Sequence, residues 1–292
     1  MSDAELDVDT GSLGPDVAAA VAALGCRPVQ AAVVGGWRAG RVTYRVTLSD
    51  GRVVKVRQLR SRTKVARAAA LVAAVGDPRV PPPLAVVGAV TVEAWIDGVV
   101  LAAQEPTKAQ MDMAADLLAD LHAVVDVPGH PFRARQSTAA VPPRVERQIA
   151  HLVGAGLLAS RHGSRLARRV ASGLPERAAR GVTHGDLRPE NLVFTTSETI
   201  VSIDNEAVRI DFLSYDLSRT WCRWPMSASA WERFLCRYSE GRWPRPEPEE
   251  EATWRIVAAV QGADRWRRGV RPNADAPLQA LARAVAELSA PR

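Results

Sequence analysis

Val182-Thr183-His184-Gly185-Asp186-Leu187-Arg188-Pro189-Glu190-Asn191-Leu192-Val193-Phe194 reads as a loop running into a strand, and it sets Asp186 five residues ahead of Asn191. That spacing has a chemical use. A phosphoryl-transfer site needs one carboxylate to orient an attacking hydroxyl and accept its proton, and a separate oxygen ligand for a magnesium ion bridging the phosphates. One short loop supplies both. Downstream, Ile200-Val201-Ser202-Ile203-Asp204-Asn205-Glu206 is an apolar strand with a carboxylate at its end. Magnesium takes hard oxygen ligands, few from protein and the rest from phosphate and water, and Asp204 with Asn191 meets that need.

Upstream of the loop the hydrophobic period changes several times. Residues 1 to 14, with Asp3, Glu5, Asp7 and Asp9 among small polar residues, predict a frayed tail. A short helix is expected from Pro15 to a cap at Gly25. From Ala31 an antiparallel meander follows, in which Val42, Tyr44, Val46 and Leu48 alternate with polar residues and Val53 to Val56 makes the partner strand. Its first connection is glycine-rich, Gly35-Gly36-Trp37-Arg38-Ala39-Gly40. Residues 63 to 75 have helical spacing and stop at Gly76-Asp77-Pro78. Two apolar strands are expected at Leu84 to Val87 and Val90 to Trp95, then a turn at Asp97-Gly98. Beyond it the pattern is mainly helical: a capping box at Thr107 to Gln110, helical stretches near 144 to 155 and 163 to 173, and a tryptophan-rich helical region after Asp216. A Pro/Glu loop is expected from Pro244 to Glu251.

The composition is that of an ordinary globular protein: 292 residues, 47% apolar and 24% charged. No apolar run is long enough to cross a membrane, and the acidic N-terminus is unlike a secretory signal, so a cytoplasmic protein without membrane partners is expected. Cys26, Cys222 and Cys236 are too far apart for a disulfide framework or a zinc site. The net charge of +6 comes from scattered arginines, only Lys55, Lys64 and Lys108 being lysines, and no nucleic-acid-binding motif accompanies it.

The loop and its downstream strand resemble the aminoglycoside phosphotransferase and choline kinase superfamily, whose catalytic loop has the form H-G-D-x-x-x-x-N and whose metal aspartate follows a short hairpin. Tyr215-Asp216-Leu217 and Leu121-His122-Ala123-Val124 match as well, and the loop is similar to the protein-kinase form H-R-D-L-K-P-E-N, with Gly185 for Arg and Arg188 for Lys. The resemblance implies an α+β, bilobal protein-kinase-like fold. A small antiparallel-sheet N-lobe would span 15 to 91, a hinge 92 to 100, and a larger, mainly helical C-lobe 101 to 292. It implies a magnesium-dependent kinase moving the γ-phosphate of ATP, or of GTP, to a hydroxyl of an antibiotic (aminoglycoside-like or peptide) or amino sugar, as a monomer or homodimer. Asp186 would be the catalytic base and Arg188 would face the transferring phosphoryl group. Asn191 and Asp204 would hold magnesium, while His184 and Asp216 would brace the loop. Lys55 would contact the nucleotide phosphates, and the hinge backbone around Glu93 and Trp95 would read the base.

Two departures are visible. Gly35 to Gly40 does not fit G-x-G-x-x-G, and the helix expected to offer a glutamate to Lys55 has none, with Arg67 in its place. Lys55 then needs Asp204 or the nucleotide for its counter-charge. The alternative this motivates is a pseudokinase or nucleotide-binding regulatory protein of the same fold. A protein kinase is disfavoured because no A-P-E segment follows Asp204. For a polycationic substrate, Glu206 and the run Glu247, Glu249, Glu250 and Glu251 are the anionic candidates. Against such a substrate stand Arg242, Arg245, Arg265, Arg267, Arg268 and Arg271. His122, His130, His151 and His162 lack metal-ligand spacing, and the tryptophans, Trp243 among them, read as core.

Overall fold

A computed structural model of the chain describes residues 6–38, 41–59, 61–103, 105–124, 126–129, 135–240, 245–269 and 276–288. Asp3, Glu5, Ala39, Gly40, His130, Arg242, Trp243, Pro244 and Arg271 lie outside this set. The chain divides into two compact units, residues 1–103 with 192–208, and residues 104–191 with 209–292.

The first unit is built on strands β1 (Leu6–Val8), β2 (Pro28–Arg38), β3 (Arg41–Leu48), β4 (Val53–Gln58), β5 (Ala85–Val87) and β6 (Val90–Ala94), with helices α1 (Pro15–Ala22) and α2 (Arg62–Val75). Its antiparallel sheet has the order β1-β2-β3-β4-β6-β5. Alternation assigns the two faces. Val46, Val54, Val56, Val90 and Val92 turn inward onto Val17, Ala20 and Val21 of α1, each such side chain contributing about 1.5–3 kcal/mol when fully buried. Lys55 and Arg57, one position out of phase with Val54 and Val56, share the other face. α2 begins where the Ser61 hydroxyl accepts from Lys64 N and ends at Gly76 in the left-handed conformation, φ 68°.

Three expectations change here. Residues 6 to 8 form an edge strand, Leu6 opposite Val33, because Leu6 and Val8 supply β-compatible residues between the acids of the expected tail. Gly35 and Gly36 lie inside β2, where the register to β3 shifts, rather than in the connection between strands. Residues 92 to 94 belong to the sheet, β6 pairing with both β4 and β5, so the linking segment starts at Trp95. Strand β7 (Gly98–Val100) follows.

The second unit opens with α3 (Lys108–His122), whose capping box forms as expected: Gln110 N donates to Thr107 Oγ1 and Thr107 N to Gln110 Oε1. Then come β8 (Arg135–Ser137), α4 (Val141–Gly154), α5 (Ser160–Gly173) and β9 (Arg177–Thr183). The next strands, β10 (Leu192–Thr195) and β11 (Ile200–Ser202), form a hairpin within the first unit, where β10 also pairs with β7. A Cβ on Gly98 would run into the Phe194 carbonyl oxygen, so this pairing requires glycine at a position that reads locally as a turn. The second unit resumes with β12 (Arg209–Phe212), which pairs with β9, and helices α6 (Leu213–Arg223), α7 (Ala228–Ser239), α8 (Pro248–Arg267) and α9 (Ala276–Glu287).

Helix α8 packs on α4, α5, α6 and α9. Trp221, Trp224, Trp231 and Trp254 are buried, as core tryptophans should be. The acidic run does not form a solvated loop. Pro248 occupies the first turn of α8, and Glu249, Glu250 and Glu251 sit where the helix N-terminus favours negative charge. Glu251 is buried and accepts from Trp231 Nε1 at 2.9 Å. Among the described residues no helix is long and apolar enough to cross a membrane.

Candidate active site

In the second unit, β9 delivers the loop. Its last residues are buried, and Thr183 Oγ1 donates to the Arg209 carbonyl, which fixes the strand end where the loop leaves it. His184 is fully buried, and Gly185 follows at φ 74°, a conformation that glycine adopts without strain. Both of their backbone N–H groups, His184 at 2.8 Å and Gly185 at 2.8 Å, donate to the two carboxylate oxygens of Asp216 in the first turn of α6. His122 Nε2 lies 3.2 Å from the same carboxylate, and its Nδ1 lies 2.7 Å from the Tyr238 hydroxyl. Burial pushes the Asp216 carboxyl up, but the His122 hydrogen bond and the charges of His122, His184 and Arg219 outweigh it and hold the group at about 2. Burial and the Asp216 charge push the Tyr238 hydroxyl well above its ordinary value. The chain Tyr238–His122–Asp216 thus ties α7, α3 and α6 to the loop backbone.

The loop beyond is short. Asp186 N donates to His184 Nδ1 at 3.2 Å, and Asn191 Nδ2 donates to the Asp186 carbonyl at 2.9 Å, which fixes the orientation of the amide. The Asp186 carboxylate pairs with the Arg223 guanidinium, from the last turn of α6. Arg188 Nε stands 3.9 Å from Asp186 and 3.8 Å from Glu190.

The first unit gathers a separate charged group. Lys55 on β4 faces Glu93 on β6 in register, with Nζ 3.5 Å from the carboxylate, and also pairs with Asp204. Arg57 is 7% exposed and grips Glu206 through both terminal nitrogens, at 2.8 and 3.2 Å, while reaching Asp204 at 3.0 Å. Burial would lower the guanidinium's proton affinity, yet Asp204, Glu206 and Glu93 together raise it above the ordinary value. Asp204 sits at φ 65°, an uncommon conformation for a residue other than glycine, at the start of the 3₁₀ turn Asn205–Ala207. Trp95 N donates to the Val53 carbonyl at 3.3 Å, and the Arg45 guanidinium lies 5.1 Å above its ring.

The structure therefore brings Lys55, Glu93, Asp204 and Glu206 together in one unit, and His184, Asp186, Arg188, Asn191 and Asp216 in the other. Trp95 packs against Arg45, the cross-strand partner of Lys55. Arg57, Arg223, Arg219 and Tyr238 are the members that sequence reasoning misses. Arg57 was within reach of it, since a second cation two residues after Lys55 must share its face. The Glu206 carboxylate is engaged by Arg57, and the Glu93 side chain faces Lys55. Among the described residues no group of three His, Cys, Asp or Glu side chains could hold a metal.

A model of the phosphotransferase enzyme family matches residues 30–250. The chain belongs to this family. Among solved structures it is similar to a type I macrolide 2'-phosphotransferase, with TM-score 0.67 and 19% identity over 98% of this chain and 99% of that one. It is also similar to an aminoglycoside-3'-phosphotransferase of type VIII, with TM-score 0.55 and 25% identity over 84% and 98%. The choline kinase LicA from Streptococcus pneumoniae aligns with TM-score 0.63 and 16% identity over 90% and 94%, and LicA has also been solved in complex with AMP. No curated protein matches the chain by sequence. The fold is the protein-kinase-like α+β fold of these structures.

Proposed function

We propose that this phosphotransferase is a kinase that moves the γ-phosphoryl group of ATP, with GTP as an alternative donor, to a hydroxyl of a small molecule met in the cytoplasm. The observation that carries this reading is the locked loop: Asp216 holds two consecutive backbone N–H groups and so presents Asp186 on a rigid support. In the reaction Asp186 orients the acceptor hydroxyl and takes its proton. The acceptor oxygen forms the new bond to phosphorus as the bond to the bridging oxygen breaks, and a nucleoside diphosphate leaves. Arg188 supplies positive charge where the phosphoryl oxygens develop negative charge. Lys55 holds the nucleotide phosphates, and the backbone of residues 92 to 96 borders the base. LicA's complex with AMP supports nucleotide use. Asn191 and Asp204 would hold a magnesium ion, which when bound neutralises phosphate charge. Antibiotics and amino sugars are the first acceptors to try, given the macrolide and aminoglycoside phosphotransferases among similar structures.

The absence of an acid on α2 loses its force against catalysis, because Glu93 and Asp204 already provide the counter-charge to Lys55. Asp186→Ala should lower transfer by roughly 10²–10⁴-fold, the usual worth of a general base, while nucleotide affinity measured by calorimetry stays within about twofold. An equal loss of transfer and nucleotide binding would refute the assigned role.

A further inference from the structure

The second unit contains a cavity of about 110 Å³ beside the catalytic loop, walled by α6, α8 and α9. Its polar lining is lopsided: Arg188, Arg219, Arg223 and Arg265 against one carboxylate, Glu190. The rest of the wall is Tyr215 and Cys222 of α6 with alanines, a glycine and a proline from α8 and α9. Arg223 and Arg188 both face the Asp186 carboxylate, so the cavity adjoins the group proposed to accept the substrate's proton.

Arg219 is the informative member. It is 6% exposed, its Nη1 is buried and finds no hydrogen-bond partner, and its guanidinium lies 5.8 Å from the Tyr215 ring. Its charge acts on Asp216, which is already committed to two backbone amides and His122. A buried guanidinium with an unsatisfied donor is costly unless an anion completes it. Arginine is also the side chain best shaped to take a carboxylate or phosphate.

From this cavity, and resting on the kinase reading above, we infer that the acceptor is an alcohol that also carries a carboxylate or phosphate group on a compact apolar body. The anionic group binds Arg219 with Arg265, and the hydroxyl is presented to Asp186. A polycationic aminoglycoside has no counterpart in a cavity lined this way, since like charges brought together in a desolvated site repel.

The test separates binding from transfer. Without nucleotide, calorimetry compares matched sets: mandelate with mandelamide and 2-amino-1-phenylethanol, and glucose 6-phosphate with glucose and glucosamine. At least one anionic member should bind tenfold or more tightly than its neutral partner, with no binding by the cation. Arg219→Gln should reduce that affinity tenfold or more and Arg219→Lys by less, with thermal melting verifying that each variant is folded. Should Arg219→Gln fail to fold, Arg265→Gln, on the more exposed wall, gives the same reading. No binding by any anionic member, equal binding by its neutral partner, or unchanged affinity in the folded variants overturns the inference. Transfer from ATP is then assayed on the same compounds and on aminoglycosides. Anion binding without transfer to any acceptor keeps the anion site at Arg219 but overturns both its assignment to an acceptor and the kinase reading; transfer to an aminoglycoside with no anion binding overturns this inference and keeps the kinase reading.

Discussion

Asp216 gives the loop its support only as a carboxylate, which makes its contribution titratable. Its folded value of about 2 lies below the ordinary value of 3.8, so the charged form contributes stability that is fully present above about pH 4 and is lost as pH falls through 2. The shift corresponds to about 2 kcal/mol. In denaturant unfolding, Asp216→Asn should fall below the wild type by about that much near pH 5, and the gap should narrow toward pH 2. A gap independent of pH would show that the residue acts by shape alone. Arg57 makes a second case. Its side chain is 9% exposed and compensates Glu206 and Asp204, whose side chains are 29% and 28% exposed. Arg57→Met should therefore cost about 2–3 kcal/mol, less than the 3–5 kcal/mol of a fully buried broken pair, because water reaches the carboxylates left behind. An unchanged unfolding midpoint would mean that the cluster is already screened. At this scale the Asp186–Asn191 loop could be singled out because its residues lie within one short stretch of sequence. Arg223, far along the chain from Asp186, was not, since nothing local marks an arginine as the partner of a distant carboxylate.

Elements with their own end signals could be read from the chain. Gly76 closes α2, Thr107 and Gln110 open α3, and the alternation of Val42 to Leu48 names β3. Thr107→Ala should destabilise by about 1 kcal/mol in thermal unfolding, the usual worth of an N-cap. The pairing of β9 with β12 was not legible. Of β9 only Val182 and Thr183 are residue types enriched in strands, Arg177-Ala178-Ala179-Arg180-Gly181 being none, and its partner lies beyond an intervening hairpin. That strand exists because tertiary pairing overrides propensity. Gly98 failed as a signal for a related reason: Asp97-Gly98 looks like a turn, yet the glycine is needed for close approach to β10. Gly98→Ala should cost about 1–3 kcal/mol through overpacking against backbone that cannot yield. A variant as stable as the wild type would contradict the pairing.

For the molecule as a whole, the loop's spacing identified the family, while the division of the chain was harder to see. The hairpin of β10 and β11 follows the loop directly and was assigned to the helical part, but its contacts place it in the first unit, where it pairs with β7. Sequence adjacency favoured one grouping and long-range strand pairing decided the other. A fragment ending at residue 103 should therefore lack a cooperative thermal transition, since β7 would have no partner; cooperative melting of that fragment would refute the dependence. The arrangement also bears on how the protein is made. As the nascent chain leaves the ribosome, residues 98–100 emerge well before their partner strand, residues 192–195. At about 5–20 residues per second, roughly 5–20 seconds of translation pass before that strand arrives. In that interval the newborn N-terminal stretch is a natural client for chaperones, and overexpression should send it toward inclusion bodies.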